Sequence, residues 1–373
     1  MYMRILLIMF FTGIFILPAF GQNNPPWERP LKIAWSADGT LFTNETIFQD
    51  SSGVPSAVRW KGDTIVCVFQ WFRGPVGSLT WDRVAVKFSY DAGSTWTTPV
   101  PIVINGLPVN YQRPFDPTLA RLNNNSIRIY FSSSDGIPLL GLDSTINTYS
   151  AISSDGINYT FETGARFDHP TNKVIDPAVI FFNGLWHYSC PIGPPQAGAF
   201  HATSTDGLSF VQQPDLPSDS AHNWTGNFLY ESNALMKFYG SGPSIWHNST
   251  SDGFNYNGYI ATNLTGGDPT TVRIAPNNYF IIFVGSPYIT NSYENVVLEN
   301  VTVFPNPVSE SLSLPENFGS AIDFNIYNAS GKLVKTGKLS TPNSIEVRDL
   351  APGWHLLNVF VNDAYYNYRF VKN

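Results

Sequence analysis

The chain is short of charge, of basic residues and of cysteine. Only 13% of its 373 residues are charged, and 21 Lys and Arg face 28 Asp and Glu, for a net charge of −7. Phosphate binding draws on clustered Lys and Arg that displace counterions, so nucleic acid is excluded as a partner. Two cysteines rule out a disulfide scaffold and any four-thiolate zinc site. His187, His201 and His247 stand at no metal-ligand spacing, so no metal site and no cofactor is expected. A single structural cation held by channel carboxylates and carbonyls is the one form of metal binding the composition admits. After residue 20 no stretch reaches the roughly 18 apolar residues of a membrane span. What the chain does have is turn formers and rings. Its 29 Gly and 28 Pro argue against long helices and for short strands joined by turns, and 15% of the residues are aromatic.

The two ends read as addresses. Arg4, an apolar run over 5–20 broken at Pro18, and the small residues Ala19 and Gly21 form a secretory signal peptide over residues 1–21. The last 75 or so residues show short alternating strands with Gly and Pro turns, the pattern of a small Ig-like β-sandwich over 296–373. Phe304-Pro-Asn-Pro307, Gly331-Lys332 and Arg369-Phe-Val-Lys372 give this segment a further identity. It resembles the type A C-terminal sorting domain of the Bacteroidetes type IX secretion system. It departs from that family at Gly353-Trp354-His355, where a Tyr is usual. The resemblance implies engagement of the secretion machinery and a secreted or outer-surface protein.

Between the ends, over 22–295, one motif occurs five times: Ser or Thr, then Asp and Gly, then an aromatic. The copies centre on Asp38, Asp91, Asp155, Asp206 and Asp252, with Phe42, Trp96, Tyr159, Phe210 and Tyr256 as the aromatics. Each reads as a hairpin corner in which the carboxylate accepts backbone N–H bonds and Gly supplies a positive φ. A second motif alternates with it: Val54-Pro55, Asp116-Pro117, Asp176-Pro177, Asp268-Pro269 and a degenerate Gly226-Asn227, each leading into an apolar strand. Repeat starts at 55, 117, 177, 227 and 269 give a unit of about 40–60 residues, the length of a four-stranded propeller blade. The corner at Asp38 precedes the first Pro motif, and no corner follows the last one. The prediction is an all-β chain: a five-bladed β-propeller whose N-terminal strands complete the last blade, followed by the small sandwich.

In such a ring the innermost strands start at one mouth of the axis. Asp116, Asp176 and Asp268 each begin one, so three carboxylates converge there. Convergent carboxylates push some of their own pKa values up, which supplies the acid and the base of glycoside hydrolysis. The same residues also suit plain strand-entrance caps. Loops between second and third strands open on this face, and their Trp71, Arg73 and Trp81, with Arg113, His222 and Trp224 nearby, are candidates for stacking on pyranose rings and bonding hydroxyls.

The Asp-Pro entrances and Ser-x-Asp-Gly corners resemble the five-bladed glycoside hydrolases of families 43, 32 and 62 over roughly residues 30–290. That likeness implies catalytic carboxylates at strand entrances, with Asp116 and Asp176 at matching positions. Val54 stands where the family 43 base is expected, and no Glu opens the third blade. The corners are also similar to the Asp-box repeats of sialidases, but the entrance Gly53-Val54-Pro55 lacks their Arg. The expectation is a secreted carbohydrate-active propeller, either a glycoside hydrolase or a non-catalytic glycan-binding protein or adhesin.

Overall fold

Four-strand runs joined by tight turns build five antiparallel sheets over the first part of the chain in the computed structural model, which describes residues 29–73, 81–135, 146–286, 303–314, 322–329, 332–339, 344–361 and 364–373. The expected signal peptide and the expected boundary at 295–296 lie outside the described residues. The chain divides into two units, Met1–Tyr288 and Ile289–Asn373.

Sheet I comprises Ser52–Lys61, Thr64–Trp71, Arg83–Ser89 and Val100–Pro101. Sheet II comprises Phe115–Arg121, Ile127–Ser134, Ile146–Ser153 and Asn158–Phe167, with Val103–Asn105 added in parallel at its edge. Sheet III is Ala178–Phe182, Leu185–Pro191, Ala199–Ser204 and Val211–Gln212, and sheet IV is Asn223–Ser232, Leu235–Ser241, Trp246–Thr250 and Ile260–Ala261. Sheet V begins with Gly267–Ala275 and Asn278–Val284 and takes its last two strands, Leu31–Ser36 and Phe42–Gln49, from the start of the chain. The seam is continuous from Leu31 opposite Val284 to Ser36 opposite Tyr279. The first strand of each sheet touches the first strand of the next, and that of sheet V touches that of sheet I, so the sheets close into a propeller ring.

Apolar packing follows the ring. Five buried clusters each lie between two neighbouring sheets, such as Val66, Val86, Ile129 and Phe131 between I and II, and Tyr130, Val179 and Tyr188 between II and III. The largest side chains fill the same seams, as Trp224, Phe238 and Trp246 do between III and IV. Cys67 and Cys190 are buried free thiols in two different sheets, and burial pushes the Cys190 thiol up to about 12.

The five corners share one hydrogen-bond pattern. In the fourth, Ser204 Oγ donates to Asp206 Oδ1 at 2.8 Å, Gly207 N donates back to Ser204 Oγ at 2.9 Å, and the N–H groups of Leu208 and Ser209 donate to Asp206 Oδ1 at 2.8 and 2.9 Å. The N–H groups of Ser209 and Leu208 are the main cause that holds the Asp206 pKa down to about 2. Gly207 has φ +72°, and the other corner glycines are likewise left-handed, as the turn requires.

At the axis the first strands present one equivalent residue each: Ser56, Thr118, Ala178, Asn227 and Thr270, opposite Val68, Tyr130, Ser189, Tyr239 and Ile282 of the second strands. Asn227 therefore aligns with the residue after the Pro, not with the Pro itself. Gly226 takes the Pro position and Thr225 the Asp position, a one-residue correction to the fourth repeat. Only glycine fits there, because a Cβ on Gly226 would stand 2.1 Å from the Tyr239 carbonyl oxygen.

The axis residues bond to one another. Asn227 Oδ1 accepts from Thr118 Oγ1 at 2.8 Å and Ser56 Oγ at 3.2 Å, and its Nδ2 donates to Pro55 O at 3.1 Å. Ser56 Oγ accepts the Leu119 N–H at 2.9 Å, and Thr270 Oγ1 accepts that of Ala57 at 3.0 Å. This network spans the axis.

In the second unit a strand pair, Ser311–Ser313 with Ser344–Glu346, and a four-stranded sheet ordered Leu333–Leu339, Ile322–Asn328, Gly353–Val361, Ala364–Lys372 share one core that includes Leu312, Ile326, Ile345, Leu357 and Phe370. No helix among the described residues is long and apolar enough to cross a membrane.

Replacing Asn227 leaves two hydroxyls and a carbonyl buried without their partner, at about 1–3 kcal/mol per orphaned group. Asn227→Ala is expected to lower the unfolding free energy by about 2–4 kcal/mol, measured by urea denaturation; a loss below about 0.5 kcal/mol would remove the network from its place at the centre of the fold.

Candidate active site at the axis mouth

Four of the five inner strands enter the ring through a bulge. The register slips between Gly53 and Ser56, Phe115 and Thr118, Asn223 and Gly226, and Gly267 and Thr270. In four sheets the residue before the proline is left-handed: Val54 at φ +46°, Asp116 at +48°, Asp176 at +54° and Asp268 at +46°. A proline ordinarily pushes its predecessor into extended backbone, and left-handed geometry costs most L-residues about 1–2 kcal/mol. Asp tolerates it better than most. Val54, being β-branched, does not.

The shared left-handed backbone before the proline brings the three aspartates together at the mouth. The Asp176 N–H donates to Asp116 Oδ2 at 3.4 Å. All three remain partly open to solvent, yet protein surrounds them on their other sides. Burial raises the Asp116 pKa most; the Asp176 N–H pulls it back and the Asp268 charge pushes it up again, to about 7. Burial, then the charges of Asp116 and Asp268, lift Asp176 well above the usual carboxylate range, while Lys173 opposes them. Asp268 is raised by burial to about 6, with Arg29 pulling it back. Three acids in one mouth thus hold their protons to different degrees.

Gln70 and Asp82, which the sequence places in the same channel-face loop as Trp71 and Trp81, extend the cluster. Gln70 follows the apolar stretch Ile65–Phe69 as the next-to-last residue of its strand; its Nε2 donates to Asp82, and its Oε1 lies 3.5 Å from the Asp116 amide nitrogen. Asp82, left-handed at φ +52°, also pairs with Arg113. The signal in the sequence was a lone amide closing the run Thr64–Trp71.

The remaining predicted residues divide. Arg113 is exposed and joins the cluster through Asp82. Trp71 is half-buried against the packing between sheets V and I, with the Arg73 guanidinium 5.2 Å from its ring. Trp81 is buried and packs on Phe72 at 5.4 Å between ring centres. His222 lies flat on Tyr259 at 3.8 Å, and its Nδ1 meets Asp219 Oδ1 at 2.7 Å. Trp224 does not form an open platform: it is 2% exposed, enclosed by Phe238, Trp246 and Tyr256. Its place before an inner strand suits both outcomes, and packing decided. Among the described residues no group of three or more His, Cys, Asp or Glu is arranged to hold a metal ion.

Residues 302–373 match the family model of the secretion system C-terminal sorting domain. The chain is therefore addressed for export, to the cell surface or the medium, and its tail engages the secretion machinery. No curated protein sequence matches the chain. Among solved structures it is similar to a Bombyx mori GH32 beta-fructofuranosidase, at 12% identity and TM-score 0.45 over 94% of this chain and 90% of that one. It is also similar to a Bacillus subtilis arabinanase, at 15% identity and TM-score 0.44 over 62% of this chain and 93% of that one. A Dyadobacter fermentans protein of unknown function is similar at 14% identity and TM-score 0.43, over 86% of this chain and 93% of that one.

Two stability measurements test this geometry. Val54→Asn is expected to raise the unfolding free energy by about 1 kcal/mol, since Asn accepts the left-handed backbone; a destabilised variant would mean that Val54 packing outweighs its strain. For Asp116 the folded pKa, about 7, lies above the ordinary value of 3.8, so its ionisation costs stability as pH rises and nothing once both states are protonated. Asp116→Asn should therefore stabilise the protein at pH 8 by about 1–3 kcal/mol and leave it nearly unchanged at pH 4, read as the difference in Tm between the two pH values. Equal Tm shifts at both would contradict the raised pKa.

Proposed function

We propose that the protein is an exported glycoside hydrolase whose acid and base are the carboxyl groups at the axis mouth. The observation that carries this reading is the graded elevation of the three aspartates. Burial and the charges of Asp116 and Asp268 favour the protonated form of Asp176, while at neutral pH Asp116 is balanced between its two forms and Asp268 is mainly ionised. In the proposed reaction Asp176 gives its proton to the glycosidic oxygen as the carbon–oxygen bond breaks. Asp116, ionised, takes a proton from the water that attacks the anomeric carbon, and the Asp268 charge keeps the proton on Asp176. Arg113, Asp82 and Gln70 supply donors and acceptors for sugar hydroxyls at the rim.

The burial of Trp81 and Trp224 weakens the alternative of a binding protein that stacks sugars on open aromatic faces. The test is turnover of a panel of polysaccharides and aryl glycosides by the full chain, beside Asp116→Asn/Asp176→Asn. Loss of at least about 100-fold in kcat/KM is expected in the double variant. The rate should fall below about pH 6–7, where Asp116 and Asp268 take up protons, and fall again at higher pH as Asp176 loses its own. Sugar binding without turnover, unchanged in the double variant, would reduce the aspartates to strand-entrance caps and make the protein a lectin.

A further inference from the structure

The axis network has a second side. Below Ser56, Asn227 and Thr270, toward the hairpin ends of the inner strands, lies a cavity of about 490 Å³. That volume is within the range of small-molecule sites, about 300–1,000 Å³. Its walls mix apolar side chains, among them Val58, Leu119, Val179, Leu229 and Val272, with polar ones such as Asn123 and Thr271.

Its rim is set by the repeat. Three residues beyond each axis residue stand Arg59, Arg121, Phe181, Tyr230 and Arg273, all lining the cavity. Two of the three guanidiniums are occupied. Arg59 donates to Gly62 O at 2.8 Å and Ile274 O at 2.6 Å and pairs with Asp63 at 2.9 Å. Arg273 donates to Glu231 O at 2.7 Å and faces the Glu231 carboxylate at 3.4 Å. Arg121 is exposed and has no hydrogen-bond or ion-pair partner among the described residues. The other two rim positions carry exposed rings, Phe181 at 41% and Tyr230 at 45%, with Phe181 leaning on Trp186 at 5.3 Å between ring centres. One unpaired cation, two open aromatic faces and an apolar well together describe a ligand: a ring-bearing body with a single negative charge. A polyanion would find one free cation.

We propose that this cavity is a second binding site, distinct from the carboxylate mouth, for a small aryl carboxylate or aryl sulfate whose acid group is held by Arg121 and whose ring sits against Phe181. The mouth presents carboxyl groups where this cavity presents a guanidinium, so the two sites differ in the chemistry they can hold. The proposal is independent of the hydrolase reading.

The test is calorimetric titration of the full chain with 4-hydroxycinnamate and with 4-nitrophenyl sulfate, and with the neutral 4-hydroxycinnamyl alcohol for comparison. At least one of the acids is expected to bind, about tenfold or more tighter than the alcohol, and which one binds identifies the acid group. Arg121→Gln should weaken that binding by about tenfold or more, since a charge-assisted bond is lost, and Phe181→Ala should weaken it further. Arg121 has no structural partner, so its variant should keep the wild-type circular dichroism and Tm. Binding should be unchanged in Asp116→Asn/Asp176→Asn, whether or not that variant abolishes sugar turnover. Failure of both acids to bind the folded chain would overturn the proposal, as would binding that survives Arg121→Gln or is altered by the aspartate substitutions.

Discussion

Five strands cannot meet on one axis without bringing their polar backbones into a space too narrow for large side chains. The solution here is a ring of small or hydrogen-bonding residues, Ser56, Thr118, Ala178, Asn227 and Thr270, in which Asn227 reaches across to two hydroxyls and a carbonyl. Buried polar groups are tolerated best when paired, so Ser56, Thr118, Asn227 and Thr270 are tied to one another or to neighbouring backbone. Everything functional is measured from this ring. One step toward the mouth are the prolines and the left-handed residues that turn carboxyls inward, and three steps the other way is the ring of Arg and aromatic residues.

The mouth is costly to build. Left-handed backbone before proline is unfavourable, and packing three carboxyls into one partly buried space is unfavourable again. Asp reconciles the two demands, being tolerated in that backbone and carrying the acid. Val54 and Thr225 mark the entrances where the ring stands without a carboxyl. Strain and charge crowding concentrated at one end of an otherwise apolar, well-paired ring is the pattern expected when stability is given up for chemistry.

Much of this was legible in the sequence. The Ser-x-Asp-Gly corners are local devices whose hydrogen bonds need only the turn itself, so their spacing reports the sheets directly. Their order relative to the Pro motifs reports the closure of sheet V. The fourth repeat was displaced by one residue because Gly226 replaces the proline and the bulge before it is longer, so the landmark was missing where the register changed. Trp224 and Trp81 stay candidates in the sequence, because a ring near a strand end has the same sequence neighbourhood whether it faces water or the next sheet. Gln70, Asp82 and the rim of the lower cavity depend on contacts between sheets, which no single repeat displays. Arg59, Arg121 and Arg273 stand out as a set only once their common distance from the axis residues is known.

The seam between Leu31–Ser36 and Tyr279–Val284 has a meaning for how the molecule comes into being. A chain emerges from its N-terminus first, so the strand it makes earliest must wait for a partner made roughly 250 residues later, on the order of ten seconds or more at ordinary synthesis rates. During that interval no complete ring exists, and two strand edges stand unsatisfied. Closure depends on contacts of the greatest sequence separation in this unit, the kind that form slowly. The ring can therefore close only after its final strand has been made, and its closing seam is the last part of the fold to find its partner.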